Sequence, residues 1–211
     1  MISKRELLRG SLLCVILDRD ILSESAARRT AQGALRSGAG MIQLRDKRSS
    51  TKEAIRAASA LRKLTKRYGA ALVINDRIDV ACASGSDGVH IGRSDMSVRA
   101  ARKLIGSDKI IGASAASLAE AGRAKASGAD YIGVGPVFRT PIKASKPPCG
   151  VDLLRKVRDL RIPVIAIGGI DMRNIKALAD SGFRKIAVIR AVCCSKDPRR
   201  AAGRLKGSIT L

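Results

Sequence analysis

At 211 residues the chain has room for one domain, or two small ones, and its 45% apolar content suffices for a sizeable core. Aromatic residues are 2% with no Trp, so that core must be aliphatic; no apolar run is long enough to span a bilayer, and the opening "MISKRELLRG" lacks the apolar stretch of a secretory leader. The net charge of +23, from 41 Lys and Arg against 18 Asp and Glu, admits anionic substrates or nucleic acid but reads first as a solvated basic surface, since the stacking residues (Tyr68, Tyr131, Phe138, Phe183) are too few for a dedicated single-strand binder.

Eight short apolar runs recur along the chain: 12–17, 41–44, 71–74, 88–91, 110–113, 131–134, 164–167 and 186–189. They lack strict alternation, as parallel strands buried on both faces do. Each precedes a stretch with apolar residues at helical spacing. In 51–69, Ile55, Ala58, Leu61 and Leu64 share a face, and Gly69 stops the helix. Before 118, Ser117 is an N-cap with Glu120 three residues on, and Gly128 closes that helix. Eight strand–helix units predict an α/β fold, a single-domain (β/α)8 TIM barrel over 1–211; an open doubly wound sheet usually has fewer strands. Cys14, Cys82, Cys149, Cys193 and Cys194 are odd in number and show no paired metal spacing. They read as buried thiols in a reducing cytoplasm, which predicts a cytoplasmic protein.

In a parallel barrel the chemistry sits where the strands end. Taken in chain order, those ends carry Gln43, Arg45 and Lys47, then Asn75 and Asp76, then Asp95, then Ser114. The sixth is followed by "GVGPVFRTPIKASKPPCG", an irregular loop with Arg139, Thr140, Lys143 and Lys146, and the seventh by Gly168 and Gly169. Singly, each has an ordinary structural account: Asn75 and Asp76 could cap a helix, and the paired glycines could serve a tight turn. Together, two carboxylates, several cations and an amide converge on one rim, for which a purely structural account gives no reason. Asp76 and Asp95 are hard oxygen ligands without a His or Cys cluster, which suits Mg²⁺ shared with substrate phosphate oxygens. Arg45, Lys47 and Lys143 suit the remaining oxygens of a polyphosphate. The glycine turn lets backbone N–H groups approach a second phosphate. The lone His90 reads as a strand residue with a satisfied ring.

The motifs "MIQLRDK", "LVINDRIDVA", "SDGVHIGRSD", "IIGASAASLAEA", "GADYIGVGPVFRTPIKAS" and "VIAIGGIDMRNI" stand in one order over nearly the whole chain. In this the chain resembles the thiamine phosphate synthase family. The resemblance implies a transferase on a TIM barrel that joins hydroxymethylpyrimidine diphosphate to hydroxyethylthiazole phosphate, releasing pyrophosphate. It implies that Gln43, Leu44, Arg45, Asp46, Lys47, Asn75, Ser114 and Lys143 hold the pyrimidine diphosphate, with Arg45, Lys47 and Lys143 acting on the leaving group. It further implies that Asp76 and Asp95 bind Mg²⁺, and that Thr140, Pro141, Ile142, Gly169, Ile189 and Arg190 hold the thiazole phosphate. The implied partners are these small molecules, with no membrane; assembly into a homo-oligomer is left open.

Two positions depart from the family pattern. Ile142 stands where the family usually has a second Thr, and Arg190 where it usually has Ser. Strand one also ends "VILDRD", where the family tends to carry a Thr before its Asp-Arg. The competing readings are a thiazole tautomerase-like or other phosphate-binding barrel, such as a sugar-phosphate isomerase, and a basic RNA-associated barrel without catalysis. The retained Arg45, Lys47, Asp76, Asp95 and Lys143 weigh against the tautomerase.

Overall fold

Eight short parallel strands close on one another in chain order, the last pairing with the first. They are β1 (Leu13–Asp18), β2 (Met41–Arg45), β3 (Ala71–Asn75), β4 (Gly88–Ile91), β5 (Ile110–Ala115), β6 (Tyr131–Val134), β7 (Val164–Ile167) and β8 (Ile186–Val188). Around them run α1 (Lys4–Gly10), α2 (Glu24–Arg36), α3 (Thr51–Arg67), α4 (Ile78–Ala83), α5 (Val98–Ile105), α6 (Leu118–Ala126), α7 (Gly150–Arg158), α8 (Ile175–Asp180), α9 (Arg190–Cys193) and α10 (Pro198–Thr210). This computed structural model describes residues 3–10, 12–141 and 147–210. The expected (β/α)8 barrel is the fold, with α1 added before the first strand. Among the described residues no helix is long and apolar enough to cross a membrane.

Strand alternation divides the apolar residues into two layers. Leu13, Val15, Leu17, Ile42, Leu44, Leu72 and Ile74 belong to the cluster that faces the helices. Cys14, Ile16, Met41, Val73, Ile110, Tyr131, Ile165 and Ala187 fill the barrel, with Leu8 of α1 packed onto them. The Lys185 ammonium ties α1 down by donating to the carbonyls of Leu8 and Arg9, at 2.6 and 3.0 Å. Helix starts follow serine chemistry. Ser50 and Glu53 form a full capping box before α3. Ser117 accepts the Glu120 N–H, whereas the Glu120 carboxylate takes the Ala116 N–H, one residue earlier than a full box requires. The buried face of α3 centres on Ala54, Ala58, Leu61 and Thr65, with Ile55 and Leu64 at its flanks.

Tyr131 is the single aromatic ring in the interior cluster and is fully buried. The neighbouring strand makes room for it with Gly112, where an added Cβ would lie 2.1 Å from the ring carbon Cζ. Gly112→Ala is therefore expected to destabilise the barrel by about 1–3 kcal/mol through overpacking, read as a lower urea midpoint with unchanged slope. An unshifted midpoint would show that the ring is free to move aside.

Candidate active site

The interior turns polar as the strands run towards their C-terminal ends. Gln43 lies two residues beyond Met41 on β2 and is 4% exposed; Asn75, His90 and Ser114 end the inward-facing rows of β3, β4 and β5. One ring nitrogen of His90, Nδ1, bonds the Tyr131 hydroxyl, and the other, Nε2, bonds the Ser114 hydroxyl, both at 2.9 Å. The ring is satisfied, as its sequence setting predicts, and it fixes Ser114 from below.

Two carboxylates meet beside this row. Asp76 sits in the left-handed region at φ 60, held there by its N–H to the His90 carbonyl at 2.8 Å. Its carboxylate takes the Asn75 amide, the Lys47 ammonium and, at 3.3 Å, the Gly92 N–H. Asp95 reaches the same Gly92 N–H at 3.0 Å. A Cβ on Gly92 would fall 2.3 Å from Asp95 Oδ2, so a side chain there would push the Asp95 carboxylate from its place beside Asp76. Although Asp95 as a residue is exposed, its carboxyl is turned in. Loss of solvent there raises its pKa, the charge of Asp76 adds to the rise, and Lys47 opposes it.

On β2 the inward parity holds for Gln43 and Arg45. Arg45 donates through Nη1 to Asp18 and Asp20, at 2.7 and 2.6 Å. Leu44 and Asp46, named with them by the resemblance, do not present their side chains to the mouth. Leu44 points to the helices in the outer core, because alternation sends it there. Asp46 is 8% exposed and accepts the N–H groups of Arg48 and Ser49 at 3.2 and 3.0 Å, which makes it the turn residue before α3.

The opposite side of the rim holds a cavity of about 380 Å³. Thr140, Pro141, Gly169, Ile189 and Arg190, drawn from three different loops, all line it. Ile142 and Lys143 lie outside the described residues. Gly168 and Gly169 have φ of 101 and 68, and a Cβ on Gly169 would stand 2.3 Å from the Arg139 carbonyl oxygen. Both the conformation and the space demand glycine. Asn174 braces this turn, donating to the Gly169 carbonyl at 2.7 Å and accepting the Asp171 N–H at 3.0 Å. Arg190 is exposed and opens α9. A groove of about 580 Å³ between the Asp171–Arg173 turn and α10 is larger, but Arg173, Arg200 and Arg204 in its lining are exposed and it contains none of the expected site residues.

Asp18, Asp20, Arg173 and Asn174 are rim residues that sequence reasoning missed. Asp18 was findable, since it continues the inward row of Cys14 and Ile16 to the strand end. Asn174 acts through the backbone of a turn, which no residue pattern advertises.

A closed parallel barrel with two cation-bearing patches on its C-terminal rim, one beside paired carboxylates, defines a phosphate-handling enzyme of the (β/α)8 class. The family model described as thiamine monophosphate synthase matches residues 13–192. A thiamine-phosphate synthase of Ruminiclostridium cellulolyticum is 40% identical over 194 residues, covering 92% of each chain. One of Chloroflexus aurantiacus is 42% identical over 201 residues, covering 94% of this chain and 93% of that one. The solved thiamine phosphate pyrophosphorylase of Pyrococcus furiosus superposes with a TM-score of 0.88 at 40% identity, covering 96% of this chain and 98% of that one. The chain belongs to the thiamine monophosphate synthase family, and it is a transferase.

If the glycine turn holds the thiazole phosphate, as the family resemblance implies, Asn174→Ala should loosen it and raise the KM for thiazole phosphate about fivefold, from the loss of roughly 1 kcal/mol of hydrogen bonding, with the KM for the pyrimidine diphosphate unchanged. Equal rises in both constants would contradict the separation of the two halves of the rim.

Proposed function

We propose that the two halves of the rim divide the substrates of thiamine phosphate synthesis between them. The Arg45–Lys47–Asp76–Asp95 side takes the pyrimidine diphosphate, and the cavity at Thr140, Gly169 and Arg190 takes the thiazole phosphate. The observation that carries this reading is the convergence of five acceptor residues on one cavity while the carboxylate pair and its cations occupy the other side.

Asp76 and Asp95 fit a divalent cation. Two carboxylates share a single N–H at Gly92, and the pKa of Asp95 is raised by partial desolvation and by its like-charged neighbour, a cost that a cation between them would relieve. Among the described residues no group of three or more His, Cys, Asp or Glu side chains forms a metal cluster. Two protein carboxylates completed by phosphate oxygens and water is the usual manner of Mg²⁺. When bound, Mg²⁺ supplies positive charge to the oxygens of the leaving pyrophosphate.

The chain's own residues do the rest by position and charge. Arg45 and Lys47 face the diphosphate with N–H donors that strengthen as negative charge builds on the leaving group. Ser114, oriented by His90, and Gln43 offer polar groups to the pyrimidine from the barrel interior. The aminopyrimidine is electron-rich, so its methylene carbon can part from pyrophosphate in a dissociative step. The thiazole nitrogen then supplies the electron pair of the new C–N bond. That nitrogen is already nucleophilic, so the reaction calls for no side-chain nucleophile. Thiazole phosphate is held through backbone N–H groups at the glycine turn and at the start of α9, where Arg190 replaces the family's usual serine. Of the five thiols expected to be buried, Cys14 and Cys193 are, Cys149 is half-buried, and Cys82 and Cys194 are exposed; all five are free, which suits a reducing cytoplasm.

The direct experiment incubates both substrates with Mg²⁺ and follows phosphorus resonances. Thiamine phosphate and pyrophosphate should appear in equal amounts; consumption of neither substrate would sink the reading.

Asp76→Asn and Asp95→Asn should each lower turnover at least about a hundredfold, since metal and leaving group are coupled, and each should weaken Mg²⁺ binding in calorimetry. Near-normal turnover of both variants at limiting Mg²⁺ would remove the metal from these residues. Lys143→Ala should cost roughly 1.5–3 kcal/mol of pyrimidine diphosphate affinity and leave thiazole phosphate affinity nearly intact. The opposite split would reassign Lys143 to the acceptor.

A further inference from the structure

Arg45 is the guanidinium on which the diphosphate side depends, and two carboxylates already hold it. Both bonds leave the same nitrogen: Nη1 donates to Asp18 Oδ1 at 2.7 Å and to Asp20 Oδ2 at 2.6 Å. The two N–H groups of Nη1 are thereby used, and the remaining donors of the guanidinium are on Nη2 and Nε.

The two acids sit in different settings. Asp18 ends β1, lies opposite Arg45 in the β1–β2 register, and has a side chain only 5% exposed. Asp20 lies on the loop beyond, is 28% exposed, and is shared with Arg48, whose own side chain is 78% exposed. Asp18 also accepts the Asp20 N–H at 3.1 Å, so the buried acid shapes the loop that presents the exposed one. A buried carboxylate that loses its cation has no water to replace it, so Asp18 keeps hold of Arg45. An exposed carboxylate is rehydrated when its cation turns away, so Asp20 can yield.

We infer that Asp18 is a positioning residue for the reaction, holding Arg45 over the barrel mouth with its remaining donors towards the diphosphate, while Asp20 is a stand-in anion that the diphosphate displaces. This rests on the assignment of the β2 side of the rim to the diphosphate. Asp18 lowers the ordering cost of the guanidinium. Asp20 places a like charge beside the incoming anion. The two acids touch the same nitrogen and act in opposite directions on affinity.

Pyrophosphate is the probe, titrated calorimetrically into the whole chain in excess Mg²⁺. Asp18→Asn should weaken its binding about tenfold, the scale of a lost charge-assisted contact. Asp20→Asn should tighten it about threefold, the scale of one exposed charge. The KM for the pyrimidine diphosphate should move with these affinities, and that for thiazole phosphate should stay. In an Arg45→Ala background both effects should vanish, which loss of stability alone would not produce. Shifts in the same direction, or an Asp18→Asn effect that survives without Arg45, would overturn the inference. If Asp18→Asn does not fold, Asp20→Asn decides: unchanged or weaker binding overturns it. Wild-type protein with no affinity for pyrophosphate would bring down the diphosphate assignment and this inference together. Wild-type affinity that Asp18→Asn leaves unaltered would bring down the inference alone.

Discussion

Closure of β8 on β1 is the constraint on which the rim depends. The eight strands form one ladder, with Cys14 paired to both Met41 and Ala187, so the inward parity of any strand fixes that of the next. Gln43, Arg45, Asn75 and Ser114 face one space because each lies an even number of residues from an apolar interior residue on its own strand, and His90 joins them two residues beyond Gly88 on β4, where Val89 and Ile91 face the helices. A slip of one residue in β2 would exchange Gln43 and Arg45 for Leu44 and would bury a guanidinium among the helices.

The mouth is assembled from charges that answer one another before any ligand arrives. Lys47 meets Asp76, and Arg45 meets Asp18 and Asp20. A chain with a net charge of +23 that gathered bare cations at one point would pay in mutual repulsion. Neutralising them in pairs removes that cost and keeps the donors close to their working positions. The glycine-turn side is built differently. There the turn is held in shape by Asn174 and by the close passage of the Arg139 carbonyl.

Much of this was legible from residues alone. The eight runs fall on the eight strands, because buried parallel strands leave uninterrupted apolar stretches that punctuation by Gly and Ser delimits. His90 proved satisfied, and Thr140, Gly169 and Arg190 line one cavity. What was not legible followed from geometry that sequence does not print. A contiguous motif such as 43–47 suggests that every member touches the ligand, yet alternation turns Leu44 away and the turn before α3 claims Asp46. The pairing of Arg45 with Asp18 spans 27 residues and exists only because β1 and β2 are neighbours. Asn174 serves the site through a carbonyl five residues back, a contact that no spacing rule singles out.

On the proposed reading one rim holds two anion sites on opposite sides of the barrel mouth. A crystal structure with pyrophosphate, Mg²⁺ and thiazole phosphate bound together tests it most directly. Pyrophosphate is expected against Arg45 and Lys47, with the metal between it and Asp76 and Asp95, and the thiazole phosphate at Gly169 and the start of α9. Both anions on the same side of the mouth, or pyrophosphate seated at the glycine turn, would contradict it.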